Sequence, residues 1–392
     1  MTKFSHRTNW QRSPNRLTGL LEAARADGSA VVDLTLSNPT QCGILYPDEL
    51  ILAAVRQRAI LRYEPDPRGI PTARKAVGEY YRERGITVGD DAILLTASTS
   101  EAYWIAFETL CDQGDAIAVP VPTYPLFEYL AQLSGVKTIS YSLRNDGHWS
   151  IDLESLEAAC REGVKALVFV HPHNPTGMFL KNDQFALIKK LASKFGIALI
   201  VDEVFRDYPL CEDATRVAST ASEHEVLVFT LNGISKSIGL PQMKLGWIVV
   251  SGPDDLRREA MGRMEIVADS FLSVNAMVQH GLPELMQAGK GVREQIVDRV
   301  QTNLGVLQEN LTGTPLTLRN PEGGWYACMK VPNTRSEEKW VESLLKERHV
   351  LVHPGYFFDF ADDRTLILSL LPKPENFLKG VNAMTQHIAE LG

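Results

Sequence analysis

Lys236 is the residue of this sequence best suited to covalent chemistry. It lies in the segment NGISKS, residues 232–237, directly after the apolar run 226–231. A lysine at the mouth of a buried strand is partly desolvated, which keeps a fraction of its amine neutral and able to form a Schiff base with a carbonyl group. The alternative for so short a pattern is an ordinary solvated lysine in a loop.

Asp202 and Asn174 each follow an apolar run, 197–201 and 166–170 respectively. A fixed carboxylate can keep the nitrogen of a heteroaromatic ring protonated, and an amide can donate to a phenolic oxygen of such a ring. Taken alone, Asp202 is equally a helix N-cap, and the segment HPHNPTG around Asn174 is equally a proline-rich turn. His171 and His173 lack a third ligand at metal spacing, so no metal site is predicted.

Small hydroxyl residues and one aromatic residue complete the set. Ser98, Thr99 and Ser100 stand where an apolar run leads into a helical pattern, and backbone N–H groups at a helix N-terminus bind anions. Tyr124, after the run 116–121, offers a ring for stacking. A plain serine N-cap and a packed tyrosine are the alternatives.

The elements that must position these residues alternate between short apolar runs and helical patterns. The strand-like runs are 92–96, 116–121, 136–141, 166–170, 197–201, 226–231 and 245–250. Alternation of this kind favours a parallel sheet. Ligands of such sheets bind at the carboxyl ends of the strands, and every candidate residue named above falls at that edge. We therefore predict an α/β fold with a large domain, residues 41–285, around a mainly parallel seven-stranded sheet flanked by helices. Residues 1–40 and 286–392 are expected to form a small α+β domain.

Composition excludes several other classes of function. The formal net charge of −8 argues against a nucleic-acid or anionic-membrane partner. The five cysteines are scattered without metal-ligand spacing and are expected to be reduced thiols. No apolar run is long enough for a membrane span or an export signal, so a cytoplasmic location is expected.

From about residue 31 to residue 371 the motifs, in this order, resemble the class I/II, fold-type I, pyridoxal phosphate-dependent aminotransferases. The resemblance implies a ping-pong transamination between an amino acid and a 2-oxo acid, with pyridoxal 5′-phosphate held as a Schiff base on Lys236, which also shuttles the proton. It implies further roles: Asp202 at the pyridinium nitrogen, Asn174 at the phenolic oxygen O3′, Tyr124 stacked on the ring, and Ser98, Thr99 and Ser100 at the phosphate. Tyr63, in YEPDPRGIP, matches a tyrosine that reaches the phosphate of a neighbouring subunit, which implies a homodimer with shared active sites.

Two positions near the cofactor depart from the family pattern. Lys244 stands where the family carries a phosphate-binding arginine, so the charge is kept but the bidentate fork is lost. Phe205 replaces a tyrosine that donates to O3′, and losing this donor is expected to raise the pKa of the Schiff base.

The third departure concerns the substrate. Ile367 replaces the arginine that binds the substrate carboxylate, and an apolar side chain cannot make that ion pair. Arg364 is one substitute, although its charge pairing in the segment DDR favours a surface residue. Backbone N–H groups near Ser37 and Asn38 are a second possibility, and an amine substrate without this carboxylate is a third.

Two other functions remain open at this point. A lyase, decarboxylase or cyclase would use the same cofactor and the same lysine, because the fate of the carbanion depends on other groups of the pocket. A pyridoxal phosphate-binding regulatory module is disfavoured, since the sequence has no helix-turn-helix segment and no basic tract.

Overall fold

A computed structural model describes residues 2–10 and 12–392 of the chain. The α-helices are α1 Arg16–Ala26, α2 Asp48–Val55, α3 Pro71–Arg82, α4 Thr99–Leu110, α5 Leu126–Leu133, α6 Leu153–Arg161, α7 Asn182–Phe195, α8 Ile234–Ser237, α9 Asp254–Asp269, α10 Ala276–Ala288, α11 Lys290–Leu311, α12 Glu337–Arg348 and α13 Pro374–Leu391. The strands are β1 Val32–Asp33, β2 Ile93–Thr96, β3 Ala116–Val121, β4 Lys137–Asn145, β5 Trp149–Ile151, β6 Ala166–Val170, β7 Ala198–Asp202, β8 Val228–Gly233, β9 Gly246–Ser251, β10 Thr317–Arg319, β11 Tyr326–Lys330, β12 Val350–Leu351, β13 His353–Pro354 and β14 Thr365–Ser369.

The large sheet has the strand order β2-β9-β8-β7-β6-β3-β4-β5. Strands β8, β7, β6, β3 and β4 run parallel, while β9 runs antiparallel to both of its neighbours. The predicted mainly parallel sheet is confirmed, with each of the seven predicted runs forming a strand. Within the described residues the sheet also has an eighth strand, β5, which pairs antiparallel with β4. This strand was not predicted because β5 has only three residues, which are too few to show an apolar run in the sequence.

The central strands are buried on both faces because helices cover both. Every residue of β6, β7, β8 and β9 is buried. Along β6, Leu167 and Phe169 belong to the apolar cluster that includes residues of α6 and α7, whereas Ala166 and Val168 belong to the cluster of α4 and α9. This alternation is the period-2 pattern of a strand, and it leaves the carboxyl edge of the sheet for polar residues.

A second, antiparallel sheet has the strand order β10-β11-β14-β13 and lies in the C-terminal part of the chain. The start of the chain joins this part, because β1 pairs parallel with β12 and Leu17 and Leu34 share an apolar cluster with residues of α11, α12 and α13. This pairing supports joining the start of the chain to its C-terminal part, and we propose 41–285 as the large domain and 1–40 with 286–392 as the small one.

Candidate functional site

A cavity of about 200 Å³ lies at the carboxyl ends of the parallel strands. Its lining includes these residues that the sequence predicted: Ser37, Thr99, Ser100, Tyr124, Asn174, Asp202 and Lys236. Apolar side chains such as Phe127, Val204 and Phe205 form much of the remaining wall. Residues from distant parts of the sequence therefore meet where a ligand binds in an open α/β sheet.

Asp202 ends β7, and its carboxylate is held from two sides. The backbone N–H of Val204 donates to Oδ1 at 2.9 Å, and the hydroxyl of Tyr103 donates to Oδ2 at 3.1 Å. The side chain is nearly enclosed, and burial raises the pKa of this carboxyl group from 3.8 to about 6, although the two donors and the nearby Lys236 charge oppose the rise. Asp202 is thus a fixed acid that titrates close to neutrality.

Lys236 lies in α8, the short helix that follows β8. Burial lowers the pKa of its amine from 10.5 to about 8, and the charge of Asp202 opposes this shift. Its Nζ lies 4.6 Å from the ring centroid of Trp325 and 5.6 Å from that of Phe205. The hydroxyl of Tyr208 donates to the backbone oxygen of Lys236. This lysine has a far larger neutral fraction at pH 7 than a solvated one, as a nucleophilic amine requires.

Asn174 is buried, with 8% of its surface exposed, and its Oδ1 has no hydrogen-bond partner among the described residues. The histidines of the same segment have structural contacts. His171 Nδ1 accepts from the N–H of Leu180, and His173 Nδ1 is 2.9 Å from the Thr176 hydroxyl. Burial lowers the pKa of both imidazoles to about 3, so both are neutral. In residues 2–10 and 12–392 no cluster of potential metal ligands occurs.

The N-terminus of α4 forms one end of the site. Ser98 is the N-cap, and its hydroxyl accepts from the N–H of Glu101 at 3.2 Å. The Glu101 carboxylate in turn accepts from the Ala97 N–H and the Ser273 hydroxyl. Thr99 and Ser100 occupy the first turn, where backbone N–H groups lack helical partners. This end of the cavity can therefore hold an anion.

Three predicted cofactor residues lie outside the lining of this cavity: Ser98, which caps α4 next to it, Lys244 and Tyr63. The Lys244 side chain is exposed, and its backbone is in the left-handed region with φ of 51°. It lies two residues before Gly246, where an added Cβ would meet the Ser98 backbone. Tyr63 is 82% exposed and lines a different cavity, together with Leu272. Such exposure agrees with a tyrosine that acts outside its own subunit.

Of the three predicted substrate residues, one lines the cavity and two do not. Ser37 lines the cavity and hydrogen-bonds to the Tyr326 hydroxyl. The side chain of Asn38 is used locally, because its Oδ1 accepts from the N–H and the hydroxyl of Thr40. Neither Asn38 nor Arg364 is part of the cavity lining that the structure describes.

Arg364 and Ile367 occupy different parts of the small sheet region. Ile367 of β14 lies opposite Cys328 of β11 and is fully buried, on the face shared with Tyr326. Arg364 lies in the turn that precedes β14, where its backbone N–H donates to the Asp362 oxygen, and it is outside the cavity lining. We therefore do not retain Arg364 as a substitute for the missing arginine.

Tyr103 and Tyr208 are the site residues that sequence reasoning missed. Tyr103 lies one helical turn after Ser100, so the two share a face of α4, and this spacing was the available signal. Tyr208 offered no comparable signal, because its contact is with a backbone oxygen 28 positions away.

Comparison with known proteins defines the class of protein. Residues 31–374 match the family model described as aminotransferase class I and II, and the chain belongs to this family. The predictions of family, fold-type I architecture and an aminotransferase enzyme are thereby confirmed. In residues 2–10 and 12–392, none of the helices combines the length and hydropathy needed to cross a bilayer.

Individual relatives are similar over nearly the whole chain. The glutamate-pyruvate aminotransferase AlaA of Haemophilus influenzae is 26% identical over 374 residues, which cover 93% of this chain and 92% of the relative. The alanine aminotransferase of Mycobacterium tuberculosis is 28% identical over 360 residues, covering 88% and 83%. The solved alanine aminotransferase from Pyrococcus furiosus superposes with a TM-score of 0.87 at 23% identity, covering 99% and 100%, and shows the shared fold.

Proposed function

We propose that this protein is a pyridoxal phosphate-dependent aminotransferase that moves an amino group between an amino acid and a 2-oxo acid through Lys236. One observation carries the proposal: a lysine amine with a lowered pKa and a doubly held carboxylate line the same buried cavity. Relatives named for glutamate–pyruvate and alanine transamination support the reaction type.

The residues of the cavity fit the cofactor. Asn174 brings a buried amide with an unpartnered oxygen, and because rotation exchanges the two ends of an amide, it can offer a donor to a phenolic oxygen. Asp202 would face the ring nitrogen and Tyr124 would stack on the ring. Ser98, Thr99 and Ser100 would hold the phosphate at the N-terminus of α4, with Lys244 adding charge nearby. When bound, pyridoxal phosphate supplies an aldehyde that condenses with amines and a protonated ring that withdraws electrons.

The chain's own groups then perform three tasks. Nζ of Lys236 takes the proton from the substrate carbon that bears the amine, as a general base with a pKa near the working pH. Asp202 keeps a proton on the nitrogen that it faces. The rings of Phe205 and Trp325, both within 6 Å of Nζ, keep water away from the amine.

A homodimer and a cytoplasmic location are the remaining parts of the proposal. The exposed Tyr63 supports the homodimer, because a tyrosine so placed can complete the phosphate site of a second copy. Ser37 and Tyr326 are the polar groups that we propose meet the substrate, since Ile367 contributes no charge.

The test uses purified protein supplied with pyridoxal phosphate. Wild type is expected to develop visible absorbance and to convert an amino acid and 2-oxoglutarate or pyruvate into a new oxo acid and a new amino acid. Lys236→Ala should lose both, with a rate lower by about 10²–10⁴. Lys194→Ala, at an exposed lysine paired with Glu157, is the control and should retain both. Ammonia release without exchange would instead identify a lyase, and a colourless protein would refute the proposal.

A further inference from the structure

A second cavity, a shallow and widely open depression of about 480 Å³, lies beside the segment that connects Asp202 to Tyr208. It is lined by four guanidinium groups, those of Arg84, Arg206, Arg216 and Arg293, and by only two carboxylates, those of Glu83 and Asp207. We call it the arginine cavity. Such a local excess of positive charge contrasts with the formal net charge of −8 of the whole chain.

The two carboxylates leave much of this positive charge uncompensated. Asp207 is bound in bidentate fashion by Arg84, at 2.8 and 2.9 Å, whereas Arg293 and Arg206 approach it only to 3.7 and 4.0 Å. Glu83 is paired with Lys290, outside the arginine cavity, at 2.8 Å.

Arg206 and Arg216 differ in their remaining partners. Arg206 also lies 3.8 Å from the fully buried Glu203. Arg216 stacks on Phe179 and has no carboxylate partner within the part of the chain that the structure describes. The cavity therefore retains a net positive charge.

Two guanidinium nitrogens have unused hydrogen-bonding capacity. Arg206 Nη1 and Arg216 Nε are buried and have no hydrogen-bond partner in residues 2–10 and 12–392. These two nitrogens have almost no accessible surface, so an anion in the arginine cavity would instead meet the more accessible Arg293, which makes no side-chain hydrogen bond to the described residues and approaches Asp207 only to 3.7 Å. Planar guanidinium groups match the oxygens of phosphate and carboxylate groups in pairs. The arginine cavity is therefore suited to an oxyanion.

An adjoining cavity of about 380 Å³ extends the site with apolar surface. It shares Glu83, Arg84 and Arg293 with the arginine cavity, and Tyr80, Ile238, Pro283 and Met286 contribute to its other walls. A ligand whose anionic group meets the arginines can place an apolar body against these side chains.

The position of the arginine cavity connects it to the active site. Arg206 and Asp207 stand between Phe205, which lines the active-site cavity, and Tyr208, whose hydroxyl holds the backbone oxygen of Lys236. Ile238, in the apolar extension, follows Lys236 by two residues. We propose that the arginine cavity is a regulatory site for a small oxyanion, a phosphate or a carboxylate, that carries an apolar body. Binding there would shift the segments that hold Lys236.

The test measures binding of inorganic phosphate, phenyl phosphate and phenylacetate to the holoenzyme by calorimetry, with the transaminase rate in parallel. Phenyl phosphate is expected to bind about tenfold more tightly than phosphate and to change kcat. Comparison with phenylacetate shows which oxyanion is preferred. The variant Arg216→Gln/Arg293→Gln should weaken binding of the preferred probe about tenfold or more. The matched control is Arg258→Gln/Arg263→Gln, which removes two charges from exposed positions of α9 and should bind like wild type.

Several outcomes would overturn the proposal. These are no binding of any probe at about 10 mM, equal binding by the two double variants, or binding that leaves kcat unchanged. Thermal unfolding of each variant checks folding, and Arg216→Gln alone replaces the double variant if that protein fails to fold. These variants leave the active-site cavity intact. Failure of the regulatory proposal is therefore distinguishable from failure of the proposed transamination, because the activity of the wild type tests the transamination by itself.

Discussion

At the scale of single residues, burial and the backbone N–H of Val204 affect the pKa of Asp202 most, and Tyr103 is the next group that acts on it. Its hydroxyl donates to Oδ2, and this hydrogen bond favours the ionised carboxylate, whereas burial disfavours it. The other titratable groups facing Asp202 are Lys236, which also favours ionisation, Glu203, which opposes it, and Tyr124. Tyr103 is thus a positioning residue for the proposed acid.

Replacing Tyr103 by phenylalanine is expected to move the acidic limb of kcat/KM to higher pH. The pKa of Asp202 is already raised to about 6, and removing a donor to the ionised form raises it further. The carboxylate is required in its ionised form, so activity falls at a higher pH than in wild type, and cofactor affinity also falls. A pH–rate profile and a cofactor titration measure both effects.

Tyr141→Phe is the matched control for this change. Tyr141 is equally buried, but its hydroxyl donates to the backbone oxygen of Val168 at 2.8 Å. Both variants lose one buried hydrogen bond, worth about 1 kcal/mol, so their stabilities should be similar. If the acidic limb moves equally in both, Tyr103 has only a structural role.

Phe205 gives a second prediction at this scale. The ring lines the active-site cavity and packs on Trp325 at 5.3 Å between centroids. Phe205→Tyr would restore the donor that the family carries, and we expect the lysine-bound cofactor to titrate at a lower pH than in wild type. Visible absorbance recorded against pH measures this, and an unchanged midpoint would show that the hydroxyl does not reach the phenolic oxygen.

At the scale of secondary-structure elements, Gly246 sets how closely β9 approaches the N-terminus of α4. A Cβ at this position would meet Thr96 Oγ1 at 3.0 Å, the backbone oxygen of Asn232 at 3.1 Å and the backbone carbon of Ser98 at 3.1 Å. Two of these three neighbours are backbone atoms, which cannot rotate away. The close approach is what keeps the proposed phosphate residues in position.

We therefore expect Gly246→Ala to destabilise the fold by about 1–3 kcal/mol and to weaken cofactor binding. Gly262→Ala is the matched control, since this exposed glycine inside α9 has no atom within 4 Å of an added Cβ and should gain about 0.5–1 kcal/mol. Denaturant unfolding and a cofactor titration test the pair. Full cofactor affinity in Gly246→Ala would mean that the Ser98 segment adjusts freely.

Sequence patterns predicted the elements that are buried on both faces and missed those that depend on distant contacts. Strands such as β6 and β7 are continuous apolar runs because helices cover them on both sides. The bond from Tyr103 to Asp202 joins residues 99 positions apart, and no local pattern encodes it. Arg364 is only three residues from Ile367 in the sequence, but it lies in the turn before β14 and outside the cavity lining.

At the scale of the whole molecule, large apolar side chains remain exposed around Tyr63. They are Leu61, Ile266, Phe271 and Met277. Their segments are neighbours, because α10 packs against α2 and against the 3-10 helix Arg58–Leu61, and Tyr63 shares a cavity with residues that follow Phe271. Monomers rarely expose apolar surface in such a cluster, so the cluster supports the proposed homodimer.

Leu61→Asp is expected to weaken this homodimer and, with it, the activity. Leu61 is 82% exposed in the single chain, so a charge there costs little in the monomer but is unfavourable once a second copy covers it. Tyr63 would complete the active site of the neighbouring copy, so the activity per chain should fall on dilution as the dimer fraction falls. Light scattering measures the dimer fraction at each dilution. Leu378→Asp, at an exposed leucine of α13, is the control and should change neither. A Leu61→Asp protein that is monomeric yet fully active would show that each active site is complete within one chain.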